Sequence, residues 1–215
     1  MHRVDADSTV LVPNVPVSRL PPEVLTHVFS LLSSIARPRI KVLLKENQVD
    51  LGWLKITHVC QRWRNIALNE PLLWASNIVL PSLLGDLWAA TFVTRAQDVP
   101  LTVNCSDEQV SYRSDSPSNT PFIGTNLART CALMGLRTYS HHLQELCTPA
   151  PVLHTLDLSI HSISEVPLLP EGLFGGAVGL PELRHLSVAS SRVLSWPPLL
   201  LQQLVSVDLT VAHVE

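Results

Sequence analysis

The residues of this chain best suited to bind a metal crowd most closely at His141, His142, Cys147 and His154. A zinc site needs three or four such ligands converging on one point. Adjacent histidines point to different sides of any regular element, so the set reads as surface and core residues in a passage from helix to strand. Cys60, Cys105, Cys131 and Cys147 contain no CxxC pair, which suggests neither a zinc knuckle nor a secreted disulfide framework, and they are read as reduced thiols. Catalytic patterns are equally thin. The chain has no GxSxG elbow and no HExxH, and GGAVG at Gly175 to Gly179 lacks the Lys and Ser/Thr of a phosphate-binding loop. His58 or His185 has the chemistry of a general base, yet no nucleophile or orienting carboxylate stands at a telling spacing. The expectation is a protein that is not an enzyme, with no catalytic residue, cofactor or metal.

What remains is the chemistry of docking, and LGWLKITHVCQRWRNIALNEPLLW, residues 51–74, concentrates it. Ile56, Val59, Cys60, Trp63, Ile66 and Ala67 recur at helical spacing on one stripe, while Lys55, Gln61, Arg62, Arg64 and Asn65 fall opposite. Stacking aromatics and phosphate-binding arginines would have to share a groove to hold nucleic acid, and here they take different faces. A formal net charge of −3 and a pI near 6.3 give no basic excess to neutralise phosphates. No nucleic-acid partner is expected. Trp63 is read as a core residue and the two arginines as solvated or paired with a partner's acidic groups.

The elements that must position this stripe begin upstream at SRLPPEVLTHVFSLL. Pro22 suits a first helical position, Glu23 complements the positive helix end, and Val24, Leu25, Val28, Phe29, Leu31 and Leu32 form one apolar face. A helix is predicted from Pro22 to about Ser33. The stretch from Ser34 to Asp50 breaks at Arg37, Pro38 and Arg39, regains a turn or two of helix through IKVLLKE and ends in polar NQVD. Downstream, Asn69, Glu70 and Pro71 stop the second helix, and Pro71 starts a further turn carrying Leu72, Leu73 and Trp74.

In this order and spacing, Leu20-Pro21-x-Glu23-Val24-Leu25, Val59-Cys60-x-Arg62-Trp63-Arg64-x-Ile66-Ala67 and Pro71-Leu72-Leu73-Trp74 resemble the F-box. LGW…THVCQRW is similar to the F-box-like domains abundant in fungi. The resemblance covers roughly Ser18 to Leu80, with a long insert at 33–52 where the family has a short link. It implies a three-helix module that docks on a Skp-type adaptor, which in turn binds a cullin scaffold. The adaptor-binding residues it implies are Leu20, Pro21, Glu23, Val24, Val28, Phe29, Val59, Cys60 and Trp63. The chain then resembles the substrate-receptor subunit of a ubiquitin ligase, with an adaptor-bound scaffold outside any ligase as the alternative and an unrelated hydrolase behind both.

Residues 81–215 form the second predicted unit, after a tail at 1–17 and the helical domain at 18–80. PSLLGDLWAATFVTRAQ reads as one bridging helix with Leu84, Leu87, Trp88, Thr91 and Phe92 on a face, VPLTVN as a strand, and the polar run from Asn104 to Asn126 as a mobile loop. A pattern then repeats: Leu153-x-x-Leu156-x-Leu158, Leu183-x-x-Leu186-x-Val188 and Leu204-x-x-Val207-x-Leu209, at separations of 30 (183 − 153) and 21 (204 − 183). It resembles irregular leucine-rich repeats, in which each unit lays down a strand and a return segment. Alternation along the strands would line an open face with Thr155, Asp157, Ser159, His185, Ser187, Ala189, Ser206, Asp208 and Thr210, the candidates for binding an unknown protein substrate. The fold class expected is α+β, an N-terminal three-helix F-box-like module followed by a short irregular repeat region. Hydrophobic residues at 46% against 15% charged, with a mean hydropathy of +0.24, favour an obligate partner or a fragment with an exposed face. The ending LVSVDLTVAHVE lacks a polar cap, so the repeats are expected to be incomplete. Asp5 and Asp7 interrupt any signal peptide and no apolar run reaches eighteen residues. The expected location is cytoplasmic or nuclear, away from membranes.

Overall fold

The computed structural model describes residues 19–42, 47–105, 119–161, 172–190 and 204–211. The N-terminal tail, residues 106–118 of the expected loop and the last four residues lie outside these.

Helix α1 (Pro22–Ile35) starts with Pro22 in its first turn and Glu23 beside it, where the helix end is positive and a missing N–H costs nothing. It stops at Ala36, two residues before Pro38. Of the stretch expected to recover as helix, residues 40–42 lie instead in strand β1 (Arg39–Val42), which pairs antiparallel with β2 (Asn47–Asp50), Arg39 opposite Asp50 and Ile40 opposite Val49, while residues 43–46 lie outside the described residues. At residues 40–42 cross-strand pairing decides the conformation, a tertiary term that propensity does not see.

The predicted long second helix is broken as well. A 3-10 segment occupies Gly52–His58 and α2 spans Gln61–Leu68, with extended Cys60 between them. The break takes Val59 and Cys60 off the core stripe: Val59 is 60% exposed and Cys60 is exposed. Helix α3 (Pro71–Ala75) buries Leu73 and Trp74 and leaves Leu72 outside. The bridging helix is two helices, α4 (Pro81–Leu84) and α5 (Asp86–Arg95), parted by Gly85 at φ +88°, a conformation that glycine adopts without strain. The bend turns Leu87 and Trp88 outward and Ala89 and Phe92 inward.

Phe92 completes an aromatic cluster. Trp53 meets Trp74 edge-on at 5.1 Å, Trp74 meets Phe92 at 4.9 Å, and Trp53 meets Phe92 at 6.1 Å, contacts worth about 0.5–1.5 kcal/mol each beyond their burial. The indole N–H of Trp74 donates to the Ala67 carbonyl at 2.8 Å, and the Arg95 guanidinium sits 5.1 Å over its ring. Through this cluster α5 closes the helical core.

A five-stranded parallel sheet follows, in the order β3 (Leu101–Asn104), β4 (Thr130–Tyr139), β5 (Thr155–His161), β6 (His185–Ser190) and β7 (Ser206–Val211). The isolated bridge between Ile78 and Val103 joins it to the helical part, and one apolar core runs through both. The part of the expected loop from Thr120 to Asn126 is helix α6. Its Gly124 lies where an added Cβ would stand 2.1 Å from the Glu145 carbonyl oxygen, so glycine permits the helix to pack there.

The three repeat signatures fall on β5, β6 and β7 in one register: Leu156, Leu186 and Val207 are neighbours, as are Leu158, Val188 and Leu209. The backbone repeats the join before each strand, with His154 N donating to Cys131 O at 2.9 Å, Arg184 N to His154 O at 3.0 Å and Val205 N to Arg184 O at 2.7 Å.

Candidate functional site: a helical docking face and an open sheet face

Helix α1 carries a wider apolar sector than the core covers. Leu25 and Phe29 are 1% exposed and face inward, with Leu32 packed beside them. Val24, Val28, Leu31 and Ile35, spaced four, three and four residues apart and so aligned on one stripe, are 43, 44, 56 and 82% exposed. A surface helix ordinarily turns polar residues to water, so a run of four large aliphatic side chains makes this stripe a candidate contact face.

Of the docking residues implied by the F-box resemblance, Val24 and Val28 belong to this stripe, and Val59 and Cys60 are exposed at the break before α2. Pro21 and Glu23 are exposed and Leu20 is half-buried at the helix entry. Phe29 is the exception in kind. Its ring is buried and stacks at a tilt on Trp63, 5.2 Å between centroids, so it anchors α1 rather than meeting solvent. Trp63 is half-buried against the core. The two arginines expected to be solvated or to await a partner also make bonds within the chain, Arg64 while remaining exposed as expected. Arg62 donates to the Leu20 carbonyl, tying the start of α1 to α2, and Arg64 Nε donates to the Thr57 carbonyl at 2.7 Å, bracing the break before α2.

The insert leaves this arrangement intact because it begins and ends at one place. Trp53 N donates to the Ala36 carbonyl at 2.6 Å, and Gly52, at φ +54°, sits where a Cβ would be 2.3 Å from that same oxygen. Asp50 fixes the root by accepting from Gly52 N at 3.1 Å and from Lys55 Nζ at 2.6 Å.

On the sheet, the polar residues expected on an open face do share one. Thr155, His185 and Ser206 form a row, Asp157, Ser187 and Asp208 a second, and Ser159, Ala189 and Thr210 a third. Arg137 of β4 extends the third row beside Ser159 and is exposed. Asp157 also serves the fold itself, since its Oδ2 accepts from Gly135 N at 3.1 Å and so satisfies an amide at the irregularity between Leu133 and Leu136.

Among the described residues no group of three or more histidine, cysteine or acidic side chains is placed to hold a metal. The rings of His141 and His142 lie 4.1 Å apart, tilted at 45°, whereas His154 Nδ1 meets Thr155 Oγ1 at 2.9 Å and the Cys147 thiol points to the Leu143 carbonyl. No described helix is long and apolar enough to cross a membrane.

The helices thus hold one another through buried aromatics while presenting an aliphatic stripe to solvent. Comparison with known families assigns this part of the chain: residues 17–77 match the family model described as F-box-like, so the chain carries an F-box-like domain. Domains of this kind commonly bind Skp-type adaptors and are typically not enzymes. No curated protein matches the chain, and no solved structure does.

Proposed function

We propose that this protein is a substrate receptor of a Skp-cullin-F-box ubiquitin ligase, acting in the cytoplasm or nucleus. The observation that carries the reading is the stripe of Val24, Val28, Leu31 and Ile35, exposed on a helix within the F-box-like match. An adaptor helix or sheet laid on that stripe would remove it from water, the main driving force of such association. The receptor role rests on the sheet. Its in-register strands, its repeated leucine pattern and the recurring backbone join at residues 131, 154, 184 and 205 support a reading as irregular leucine-rich repeats. The face of Thr155, Asp157, Ser159, His185, Ser187, Ser206, Asp208 and Thr210 is then the place for a protein substrate.

Affinity purification of the full chain tests the proposal. A Skp-type adaptor and a cullin should be recovered together, and alanine at both Leu20 and Pro21 should remove both. Recovery of the adaptor without a cullin would make the chain a scaffold outside a ligase, and undiminished recovery by the double variant would sink the F-box docking mode.

A further inference from the structure

Strand register sets Arg137 beside Ser159 and Tyr139 beside His161 at the carboxyl ends of β4 and β5. Buried Leu136, Thr138, Leu158 and Ile160 alternate with them, so all four belong to the open face of the sheet. The ring of His141, just past β4, stacks on that of Tyr139 at 5.7 Å and 16°, and the His161 ring lies 6.2 Å from Tyr139. Tyr139 is half-buried among these neighbours, whereas Arg137 and His141 are exposed. Arg137 differs from the other arginines of the fold. Arg62, Arg64, Arg95 and Arg129 each donate to a backbone carbonyl, and Arg39 and Arg184 each face a carboxylate. Among the described residues no hydrogen bond or ion pair engages the Arg137 guanidinium. Asp157 sits one row down, about 7 Å along the strand, where it accepts from the Gly135 amide, and Asp208 shares its row. The face is therefore cationic at its carboxyl edge and anionic one row below. Open parallel sheets take ligands at the carboxyl ends of their strands, and tyrosine and arginine are favoured anchors of protein interfaces.

We infer that this corner recognises a single acidic residue of the protein substrate, whose aspartate or glutamate carboxylate pairs with Arg137 while the Tyr139 and His141 rings flank its stem. This rests on the reading of the sheet face as the substrate surface. The charges choose the partner. A guanidinium matches one carboxylate through two parallel hydrogen bonds, whereas Asp157 and Asp208 a row away repel a run of negative charge, which disfavours nucleic acid and polyacidic segments. The substrate therefore lays one acidic side chain, in an otherwise neutral or basic segment, over the ends of β4 and β5.

Random dodecapeptides displayed on phage and selected on the full chain supply the probe. Enrichment of Asp or Glu at one position is expected. A fluorescein-labelled peptide of the selected sequence should bind Arg137→Gln about tenfold more weakly in fluorescence polarisation, with Arg137→Lys between the two. Exchanging the peptide's acidic residue for its amide should cause the same loss in the parent chain and no further loss in Arg137→Gln, the signature of a direct pair. Arg137 is exposed, so its replacement should leave melting unchanged. Selection of no peptide, selection without an acidic position, or equal binding by Arg137→Gln would overturn the inference. Purification of the parent chain reads the ligase role separately: acid-dependent peptide binding by a chain that recovers no cullin would overturn the receptor reading and leave the chemistry of the corner standing.

Discussion

Replacing Val24 and Val28 together by alanine probes the docking stripe with little disturbance to the fold. Each change removes two carbons, worth about 0.8 kcal/mol apiece when fully buried. The valines are 43 and 44% exposed in the free chain, so docking newly buries somewhat under half of that. This amounts to about 0.7 kcal/mol per site, and about 1.4 kcal/mol for the pair is a tenfold change in Kd. In the free chain the lost burial, about 0.9 kcal/mol per site, is offset by the gain of about 0.5 kcal/mol from alanine's helix propensity. Folding stability falls by under about 1 kcal/mol, a shift of roughly 2–4 °C at most for a chain of this size. Titration calorimetry against a Skp-type adaptor, paired with scanning calorimetry, reads both quantities. Tenfold weaker binding with near-constant melting is expected. An unchanged Kd would mean that the α1 stripe faces something other than the adaptor, and the docking argument would fail at its first step.

Three further outcomes follow from the geometry. Gly52→Ala places a Cβ 2.3 Å from the Ala36 oxygen at a φ of +54°, so urea unfolding should show a loss of at least about 2 kcal/mol. Asp157→Ala orphans the Gly135 amide and should lower the denaturation midpoint by an amount equivalent to about 1–3 kcal/mol, with adaptor binding unaffected. Threonine at both Val207 and Leu209, which are 47 and 58% exposed on β7, should reduce self-association measured by light scattering.

Where one periodicity persists, the sequence foretells the structure. Helix α1 and strands β5 to β7 each keep a single apolar rhythm, and the register of Leu156, Leu186 and Val207 follows from it. Strand β4 is hidden because its rhythm changes phase. Ala132, Leu133, Leu136 and Thr138 are all buried, and the irregularity at Met134 and Gly135 destroys the alternation by which a half-buried strand is recognised. Arg137 is hidden from the candidate face along with it. Strand β1 is hidden under a helical reading of IKVLLKE because its pairing depends on partners outside its own segment, Asn47 to Asp50. Helix α6 is masked because Pro121 and Gly124 look like loop residues, although Gly124 answers a packing demand from the Glu145 carbonyl that lies 21 positions away in sequence. The docking stripe is legible as apolar, but not as exposed. Periodicity marks which residues share a sector of a helix, while only the tertiary fold decides how much of that sector is covered.

The exposed thiol at the break before α2 gives the chain a built-in reporter. Cys60 stands open to solvent beside exposed Val59, whereas Cys105 is buried and Cys131 and Cys147 are partly shielded. Access governs the reaction of thiols with alkylating reagents as much as their ionisation does, so brief treatment with a maleimide dye labels Cys60 ahead of the others. A fluorophore would then sit among the residues assigned to the adaptor in the native sequence, and its emission would follow assembly in real time.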